Sequence, residues 1–172
     1  ATSMTDAEGH RTTYVYDKDG LLLSETDPRG GVTRHEYDDE GKRTKTTSPM
    51  GFVTLYSYDA LGRLVATVDA NQGESKATYD ANGRLTSVTT PLGLVTGYEY
   101  DSMGRVNKRY NEDNSYVKYA YDKNGNLVRM TNERGNVYTY TYDKNNLPLT
   151  ETDPMGGTTT VTYTPNGLTE SV

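Results

Sequence analysis

The chain contains no cysteine, no tryptophan and no isoleucine, and it has a single phenylalanine. The absence of cysteine excludes disulfide bonds and thiolate metal sites, and with them the disulfide-stapled and zinc-thiolate classes of small protein. No apolar run approaches the roughly 20 residues that a membrane-spanning helix needs, so we expect no membrane span. No targeting signal is recognisable in the chain.

Basic residues are also scarce: 18 Lys and Arg stand against 24 Asp and Glu, which gives a formal net charge of −6. Because nucleic-acid backbones are bound by basic faces, we expect no nucleic-acid partner. The low aliphatic content is by itself typical of a disordered chain. However, 16 tyrosines and 27 threonines are present, and these residues favour strands and supply apolar ring area. The composition therefore indicates a folded, strand-rich protein.

A tyrosine recurs every 21 residues, without insertion or deletion. Counting it as position 0, aspartate follows at +1 and glycine at +4, each in seven of eight copies; Thr164 and Asn146 are the exceptions. The repeated residues are Tyr16, Asp17, Gly20, Tyr37, Asp38, Gly41, Tyr58, Asp59, Gly62, Tyr79, Asp80, Gly83, Tyr100, Asp101, Gly104, Tyr121, Asp122, Gly125, Tyr142, Asp143 and Tyr163. Fixed internal periodicity of this length predicts a tandem-repeat protein.

Each repeat reads as a β-hairpin. The residues before the tyrosine alternate between ring-bearing and polar positions, as in Val137–Tyr142, which predicts a strand with one ring-bearing face and one solvent face. The segment Asp-x-x-Gly suits a type I turn whose aspartate accepts backbone hydrogen bonds and whose fourth residue has positive φ, closing the hairpin with a bulge. Asn146 supports this assignment, because asparagine tolerates positive φ.

A second turn joins successive hairpins, with proline at its second place and glycine at its fourth in Asp27–Gly30, Ser48–Gly51, Thr90–Gly93 and Asp153–Gly156. Weaker copies occupy Asn111–Asn114 and Asn132–Gly135. The loop Asp69–Gly73 has no proline and has its glycine one place later. We expect this loop to be the least regular.

Hairpins that each carry one apolar face must stack to bury it. We therefore predict an all-β fold of tandem 21-residue hairpins forming an extended or curling antiparallel sheet of about 16 strands. Residues 1–172 should form a single array of about eight repeats, without a separate second domain. The tyrosine hydroxyls need partners where they are buried, and neighbouring Thr, Asp or backbone groups are the candidates.

The segments Tyr58–Leu64 and Tyr79–Leu85, which read Tyr-Asp-x-x-Gly-Arg-Leu and are followed by further hairpin turns, resemble the YD-repeat or RHS-repeat family. The resemblance covers nearly the whole chain. It implies an open arc of a spiralling β-sheet shell, as found in Rhs and wall-associated polymorphic toxins, in C components of insecticidal toxin complexes and in teneurins. In toxin members such a shell encloses a cytotoxic C-terminal domain.

Compared with those long proteins, this chain has too few repeats to close a shell, and it lacks their aspartyl self-cleavage region as a block. We therefore expect it to be a piece of a longer secreted or cell-surface protein. Its partners by resemblance are the adjoining repeats and an enclosed toxin domain. Exposed strand edges also predict weak self-association.

Residues suited to catalysis are few, and we expect no enzyme. His10 lies in the opening loop and His35 takes a tyrosine's place at position −2, so both are better explained by surface or stacking roles. No serine lies in a nucleophile elbow, and the aspartates open turns. We expect no cofactor.

Metal binding is the closer alternative. Asp17–Gly20 and Asp122–Asn126 superficially resemble calcium loops. They lack the further oxygen ligands at alternate positions and the distal glutamate that such loops need, and both make sound hairpin turns. We therefore assign no metal site.

Arginine recurs at position +5 in three successive repeats, as Arg63, Arg84 and Arg105. One explanation is an ion pair between each arginine and a turn aspartate; the other is contact with an acidic glycan. Two functions accordingly remain open. The preferred one is a structural segment of a shell that encloses or presents a toxin, and the alternative is an adhesion or carbohydrate-binding array.

Overall fold

The computed structural model describes residues 2–164 and 166–171. Every regular element within them is a β-strand, which confirms the all-β prediction. The strands are β1 (Thr2–Thr5), β2 (Arg11–Tyr16), β3 (Leu22–Thr26), β4 (Val32–Tyr37), β5 (Arg43–Thr47), β6 (Val53–Tyr58), β7 (Leu64–Val68), β8 (Glu74–Tyr79), β9 (Leu85–Thr89), β10 (Val95–Tyr100), β11 (Val106–Tyr110), β12 (Tyr116–Tyr121), β13 (Leu127–Thr131), β14 (Val137–Tyr142), β15 (Pro148–Thr152), β16 (Thr158–Thr160), β17 (Thr162–Tyr163) and β18 (Thr169–Ser171).

Strands β1 to β16 form an antiparallel sheet whose strand order follows the chain, and β17 pairs with β18 separately. The chain divides into two compact units. The first comprises Ala1–Thr78 and Val88–Leu94, and the second comprises Tyr79–Ser87 and Val95–Val172. The single array over residues 1–172 stays a prediction, and each unit is described by itself below.

Both units use one hairpin register. In the first unit the position-0 tyrosine pairs with position +6, as in Tyr37 with Arg43 and Tyr58 with Leu64. In the second unit Tyr100 pairs with Val106 and Tyr121 with Leu127. In each of these hairpins the register shifts between positions −1 and 0, which is the bulge that the sequence predicts.

The turn after the tyrosine has the predicted geometry. In the second unit, Gly104 N donates to Asp101 O at 3.0 Å, and Gly104 has φ of +83°. Asn146 fills the equivalent place with φ of +64°. The carboxylate Oδ1 of Asp101 accepts the backbone N–H groups of Met103 and Arg105, each at 2.9 Å. The turn is thus closed by its own aspartate, which satisfies two amides that the ladder leaves free.

The loop Asp69–Gly73 is a correction to the sequence analysis. It makes the same turn as the other connections between hairpins: Gln72 N donates to Asp69 O at 3.0 Å, and Gln72 has φ of +65°. The expectation that this loop is the least regular is therefore wrong. Gly73 is not a displaced turn glycine, because a Cβ there would lie 2.7 Å from Asp69 Oδ2 and 3.0 Å from Pro91 Cβ. The absence of a side chain at Gly73 makes room for the Asp69 carboxylate, which folds back over the turn.

Burial along the strands alternates as predicted. In β6 and β14, positions 0 and −2 are half-buried while positions −1 and −3 are exposed. We call the side bearing positions 0 and −2 the ring face and the other side the solvent face. Within residues 2–164 and 166–171, Val117 is the one hydrophobic residue that is fully buried, at 6% exposure. The sheet is therefore held chiefly by strand pairing and by contacts between half-buried side chains.

The turn geometry predicts opposite outcomes for two substitutions at Gly104. Gly104→Val should lower the free energy of unfolding by about 1 to 3 kcal/mol, because a β-branched residue at positive φ is strained. Gly104→Asn should be nearly neutral, since Asn146 already adopts this conformation. Urea unfolding followed by circular dichroism measures both.

The reciprocal change, Gln72→Gly, should raise the urea midpoint, because it removes a side chain from the same φ region. Equal effects of valine and asparagine at Gly104 would contradict the turn assignment.

Candidate functional site

The position-0 tyrosines join each hairpin to the one before it. In five of the eight repeats the tyrosine hydroxyl donates to the main-chain carbonyl at position +6 of the preceding repeat. In the first unit the pairs are Tyr37 to Leu22 and Tyr58 to Arg43, both at 2.9 Å; in the second unit they are Tyr100 to Leu85 at 2.6 Å, Tyr121 to Val106 at 2.9 Å and Tyr142 to Leu127 at 2.9 Å. The sequence allows threonine, aspartate or backbone groups as partners of the tyrosine hydroxyls. In these five pairs the partner is a backbone carbonyl.

The accepting carbonyl lies where the ladder between hairpins stops. The pairing of β11 with β12 runs from Tyr110 and Tyr116 to Lys108 and Lys118, and Val106 lies two residues beyond it. The hydroxyl of Tyr121 reaches back to this carbonyl from the far end of β12. Because a half-buried carbonyl needs a donor, the tyrosine completes the sheet where main-chain pairing ends.

The arginines at position +5 add a second link in the same direction. Arg105 Nε donates to Asp101 Oδ2 at 2.7 Å within its own turn, and its guanidinium donates to the Asp122 carbonyl at 2.8 Å in the next repeat. Its Cζ lies 4.7 Å from the centroid of the Tyr121 ring. The arginine therefore connects one turn aspartate to the following tyrosine through a hydrogen bond and a cation–π contact.

Arg84 repeats this arrangement one hairpin earlier in the second unit, with Asp80 Oδ2 at 2.7 Å and the Tyr100 ring centroid at 4.7 Å. In the first unit, Arg63 Nε donates to Asp59 Oδ2 at 2.7 Å. The ion-pair explanation for the three arginines is thus what the structure contains. The glycan contact proposed for them stays a prediction.

The turn aspartates are held in their charged form by these donors. The backbone N–H of Arg105, followed by its side chain, lowers the pKa of Asp101 below its ordinary value. In the same way the Arg84 backbone N–H lowers the pKa of Asp80. The Arg63 side chain lowers that of Asp59. A carboxylate with several N–H donors is stabilised in its ionised form, so these turns are more stable at neutral pH than in acid.

The remaining tyrosines of the series differ in their surroundings. Tyr16 is 43% exposed and lies in β2 of the first unit. Tyr79 opens the second unit and has contacts of its own. Tyr163 lies in β17, where it pairs with Thr169. The contacts described above are therefore established for five of the eight repeats.

The two histidines lie where the sequence places them. His35 lies on the ring face, and its Nδ1 is 3.1 Å from Thr46 Oγ1. Burial, assisted by the charge of Arg43, lowers the pKa of His35 below its ordinary value. His10 ends the first turn, where its Nδ1 is 3.0 Å from Asp6 Oδ2.

One group of potential metal ligands is not evident from the repeat pattern of the sequence. Asp6, Glu8 and His10 are the cluster of this kind in the described part of the chain, and all three are exposed. Asp6 Oδ1 accepts the backbone N–H groups of Glu8 and His10, each at 2.9 Å. These are the hydrogen bonds of the ordinary turn, so the turn itself accounts for the cluster.

The two calcium-like segments have the same explanation. Asp17 Oδ1 accepts the N–H groups of Asp19 at 2.9 Å and Leu21 at 2.8 Å. Asp122 Oδ1 accepts those of Asn124 and Asn126, both at 2.9 Å. One oxygen of each aspartate is therefore turned towards its own backbone.

Comparison with known proteins decides the family. The model of the RHS repeat matches residues 1–32, 16–51, 37–74, 79–115 and 121–158, which together cover most of the chain. The chain belongs to the RHS repeat family. No curated protein sequence matches this RHS chain.

Solved structures show the same fold. The Tc holotoxin pore of Photorhabdus luminescens, with a substitution in TccC3, is 21% identical to the RHS chain with a TM-score of 0.72, over 92% of this chain and 10% of the other. The complex TcdB2-TccC3-Cdc42 gives 20% identity and a TM-score of 0.73, over 90% of this chain and 10% of the other. The RHS chain thus spans about a tenth of the length of these proteins. Its likeness to them establishes the hairpin-repeat fold.

These findings support a structural role for the RHS repeats, carried by contacts that each hairpin makes with the next. The described residues include no helix that could cross a membrane.

The hydroxyl bond of Tyr100 can be isolated by Tyr100→Phe. We expect a loss of about 0.5 to 1.5 kcal/mol in the free energy of unfolding, because the Leu85 carbonyl loses its donor. Tyr100→Ala should cost more, about 2 to 3 kcal/mol, which is below the value for a fully buried ring because Tyr100 is half-buried. Urea midpoints measure both.

The control for Tyr100→Phe is Tyr98→Phe on the same strand and face. For Tyr98 the described part of the structure contains no such hydroxyl bond, so this change should be close to neutral. Equal losses at the two positions would remove the special role of the position-0 hydroxyl.

Acid should unfold the RHS hairpins through their turn aspartates. Because the folded pKa of Asp101 is lowered, its contribution to stability is complete above the unfolded pKa near 3.8 and is lost as pH falls through the folded value. Asp101→Asn should flatten this loss between pH 5 and pH 2, while keeping the turn. Asn132 shows that asparagine makes the same two backbone bonds, each at 3.0 Å.

The urea titrations with and without Asp101→Asn are best made in a chain that also carries His35→Tyr. Tyrosine is the residue at position −2 in five of eight repeats, so this change fits the repeat. The lowered pKa of His35 would otherwise add its own loss of stability as pH falls through about 6.5. An unchanged acid dependence in Asp101→Asn would contradict the role given to the carboxylate.

Proposed function

We propose that this RHS chain is a structural, non-catalytic segment of a large secreted bacterial protein, and that its hairpins form part of a wall that encloses or presents a C-terminal toxin. The observation that carries the proposal is the link from the tyrosine hydroxyl to the preceding hairpin, which recurs in five of the eight repeats and extends the sheet one repeat at a time. The fold similarity to Tc toxin structures supports the toxin context.

The physical logic of such a wall follows from the hairpins. A wall must be thin and continuous, and it must be assembled from elements that each need only their neighbours. The RHS hairpins meet this requirement, because sheet pairing and the tyrosine and arginine links are all made to adjacent strands and turns. Adjoining repeats of the parent protein are then the first partners of this segment, and the enclosed domain is the second.

The alternative is a cell-surface adhesion or carbohydrate-binding array using Arg63, Arg84 and Arg105. This function would require the guanidinium groups to leave their aspartates. The side chains of Arg84 and Arg105 are only 30% and 25% exposed in these ion pairs. We therefore favour the wall.

The coding sequence on either side of this segment distinguishes the two functions. Further repeats followed by a variable nuclease- or deaminase-like domain are expected for the wall. Cell-wall anchoring modules in their place would favour adhesion and overturn the proposal.

Limited proteolysis of the full-length parent gives the biochemical test. The C-terminal domain should resist protease while the repeats are folded, and it should be digested when Tyr100→Ala and Tyr121→Ala weaken the wall. The matched control is Tyr98→Phe, which should leave the protection intact. Rapid digestion of that domain in the unaltered parent would contradict enclosure.

A further inference from the structure

Three residues on the solvent face of the second unit depart from the repeat. Gly97 stands at position −3, Tyr110 at position +10 and Tyr116 at position −5. The other repeats have threonine or valine at position +10, in Thr26, Thr47, Val68, Thr89, Thr131 and Thr152. At position −5 they have Arg11, Val32, Val53, Glu74, Val95, Val137 and Thr158. The two rings therefore have no counterpart elsewhere in the series.

The three departures depend on one another. The rings of Tyr110 and Tyr116 meet edge to face, with centroids 6.0 Å apart and planes at 66°. Gly97 lies opposite Tyr110 in the register, and a Cβ on Gly97 would come within 3.3 Å of Tyr110 Cδ2. The glycine thus leaves the space that the Tyr110 ring occupies. The three residues are therefore sterically matched to one another.

The rings hold a lysine in place. Lys108 Nζ lies 4.2 Å from the centroid of each ring, and it donates to the Tyr110 hydroxyl. That hydroxyl in turn donates to the carboxylate of Glu99, which lies 3.8 Å from Lys108 Nζ. The Lys108 side chain is 20% exposed. The ammonium group is therefore positioned by two aromatic contacts and one hydrogen bond.

A second lysine lies directly opposite the first. Lys118 pairs with Lys108 in the register of β11 and β12, and like charges in this relation repel. Lys118 Nζ lies 5.2 Å from the Tyr116 ring centroid, and among the described residues no carboxylate forms an ion pair with it. Arg129 adds a third cation on β13, opposite Ala120. Among the described residues that line this part of the sheet, Glu99 is the one carboxylate beside these three positive charges.

These cations line a concavity of about 640 Å³ on the second unit, together with Glu99, Thr131 and Val137 among others. In a chain of net charge −6, a local excess of about two positive charges is unusual. The lysine pair also carries a cost in stability that an anionic ligand would remove. Charge complementarity thus points to an acidic occupant.

We propose that this concavity, formed by Lys108, Lys118 and Arg129, binds an acidic peptide segment in an extended conformation. Directly opposed side chains on a sheet are about 5 Å apart and diagonal ones about 7 to 8 Å. Alternate side chains of an extended peptide are about 6.6 Å apart. A peptide crossing β11 to β13 therefore brings successive alternate carboxylates to the three cations.

Glu99 sets the limit of the site at β10. Its carboxylate repels a further acidic residue and orients the peptide so that its charged part lies over β11 to β13. The rings contribute by fixing Lys108 before binding, which reduces the conformational entropy that the ligand must overcome.

The test is fluorescence anisotropy with a labelled peptide of alternating glutamate and threonine, titrated with the whole chain. Lys118→Ala should weaken binding at least tenfold, and the glutamine version of the peptide should not bind. Glu99→Gln should tighten binding. The matched control is Lys76→Ala, which removes a lysine at the same position −3 in the first unit, where it is paired with Glu74 at 2.8 Å.

The circular dichroism spectrum of Lys118→Ala should match that of the parent chain, and its urea midpoint should be no lower, because the change removes the repulsion between Lys108 and Lys118. A loss of binding in this variant is then separated from a loss of folding. Equal weakening by Lys118→Ala and Lys76→Ala would mean non-specific attraction and overturn the proposal. Binding of an oligogalacturonate or of inorganic phosphate in preference to the peptide would overturn it as well.

Discussion

The hydrogen bond from a tyrosine hydroxyl to a carbonyl in the preceding hairpin is the constraint on which the fold depends. Val117 is the one hydrophobic residue among those described that is fully buried, so a conventional core contributes little. Each hairpin must instead be fixed to its neighbour where the main-chain ladder stops. The unvarying period of 21 residues follows, because one inserted residue would turn the ring to the other face and leave the carbonyl without its donor.

The residues of the repeat motif, Tyr-Asp-x-x-Gly-Arg, interact with one another and with the next repeat. The aspartate closes its turn with one oxygen and holds the arginine with the other, as Asp101 does with Arg105. The arginine then covers the tyrosine of the next hairpin. Glycine gives the turn the backbone conformation that brings these groups together. Local turn chemistry and contact between repeats are thus parts of one network, and its individual members are expected to be coupled energetically.

Much of this architecture follows from the sequence because it is local and repeated. Strand alternation, the hairpin bulge and the positive φ of Asn146 are predictable from spacing and residue type. Gln72 is not, because glutamine has no particular tendency towards positive φ, and its conformation is imposed by the pairing on either side of the turn. The acceptor of each tyrosine hydroxyl also requires the register between hairpins. The cluster around Lys108 could not be predicted from the repeat, because Tyr110 and Tyr116 stand at positions where the other repeats have no tyrosine.

A chain whose strands follow one another in order, each held by its immediate neighbours, responds to force in a particular way. Tension applied to one terminus of such a sheet loads the outermost pair of strands first, and the load passes inwards only after that pair has separated. Each released repeat adds about 70 Å of contour length, at about 3.4 Å per residue. The hydroxyl and guanidinium links recur once per repeat, so they would break one repeat at a time, and a polypeptide of this kind would lengthen in steps of equal size under tension.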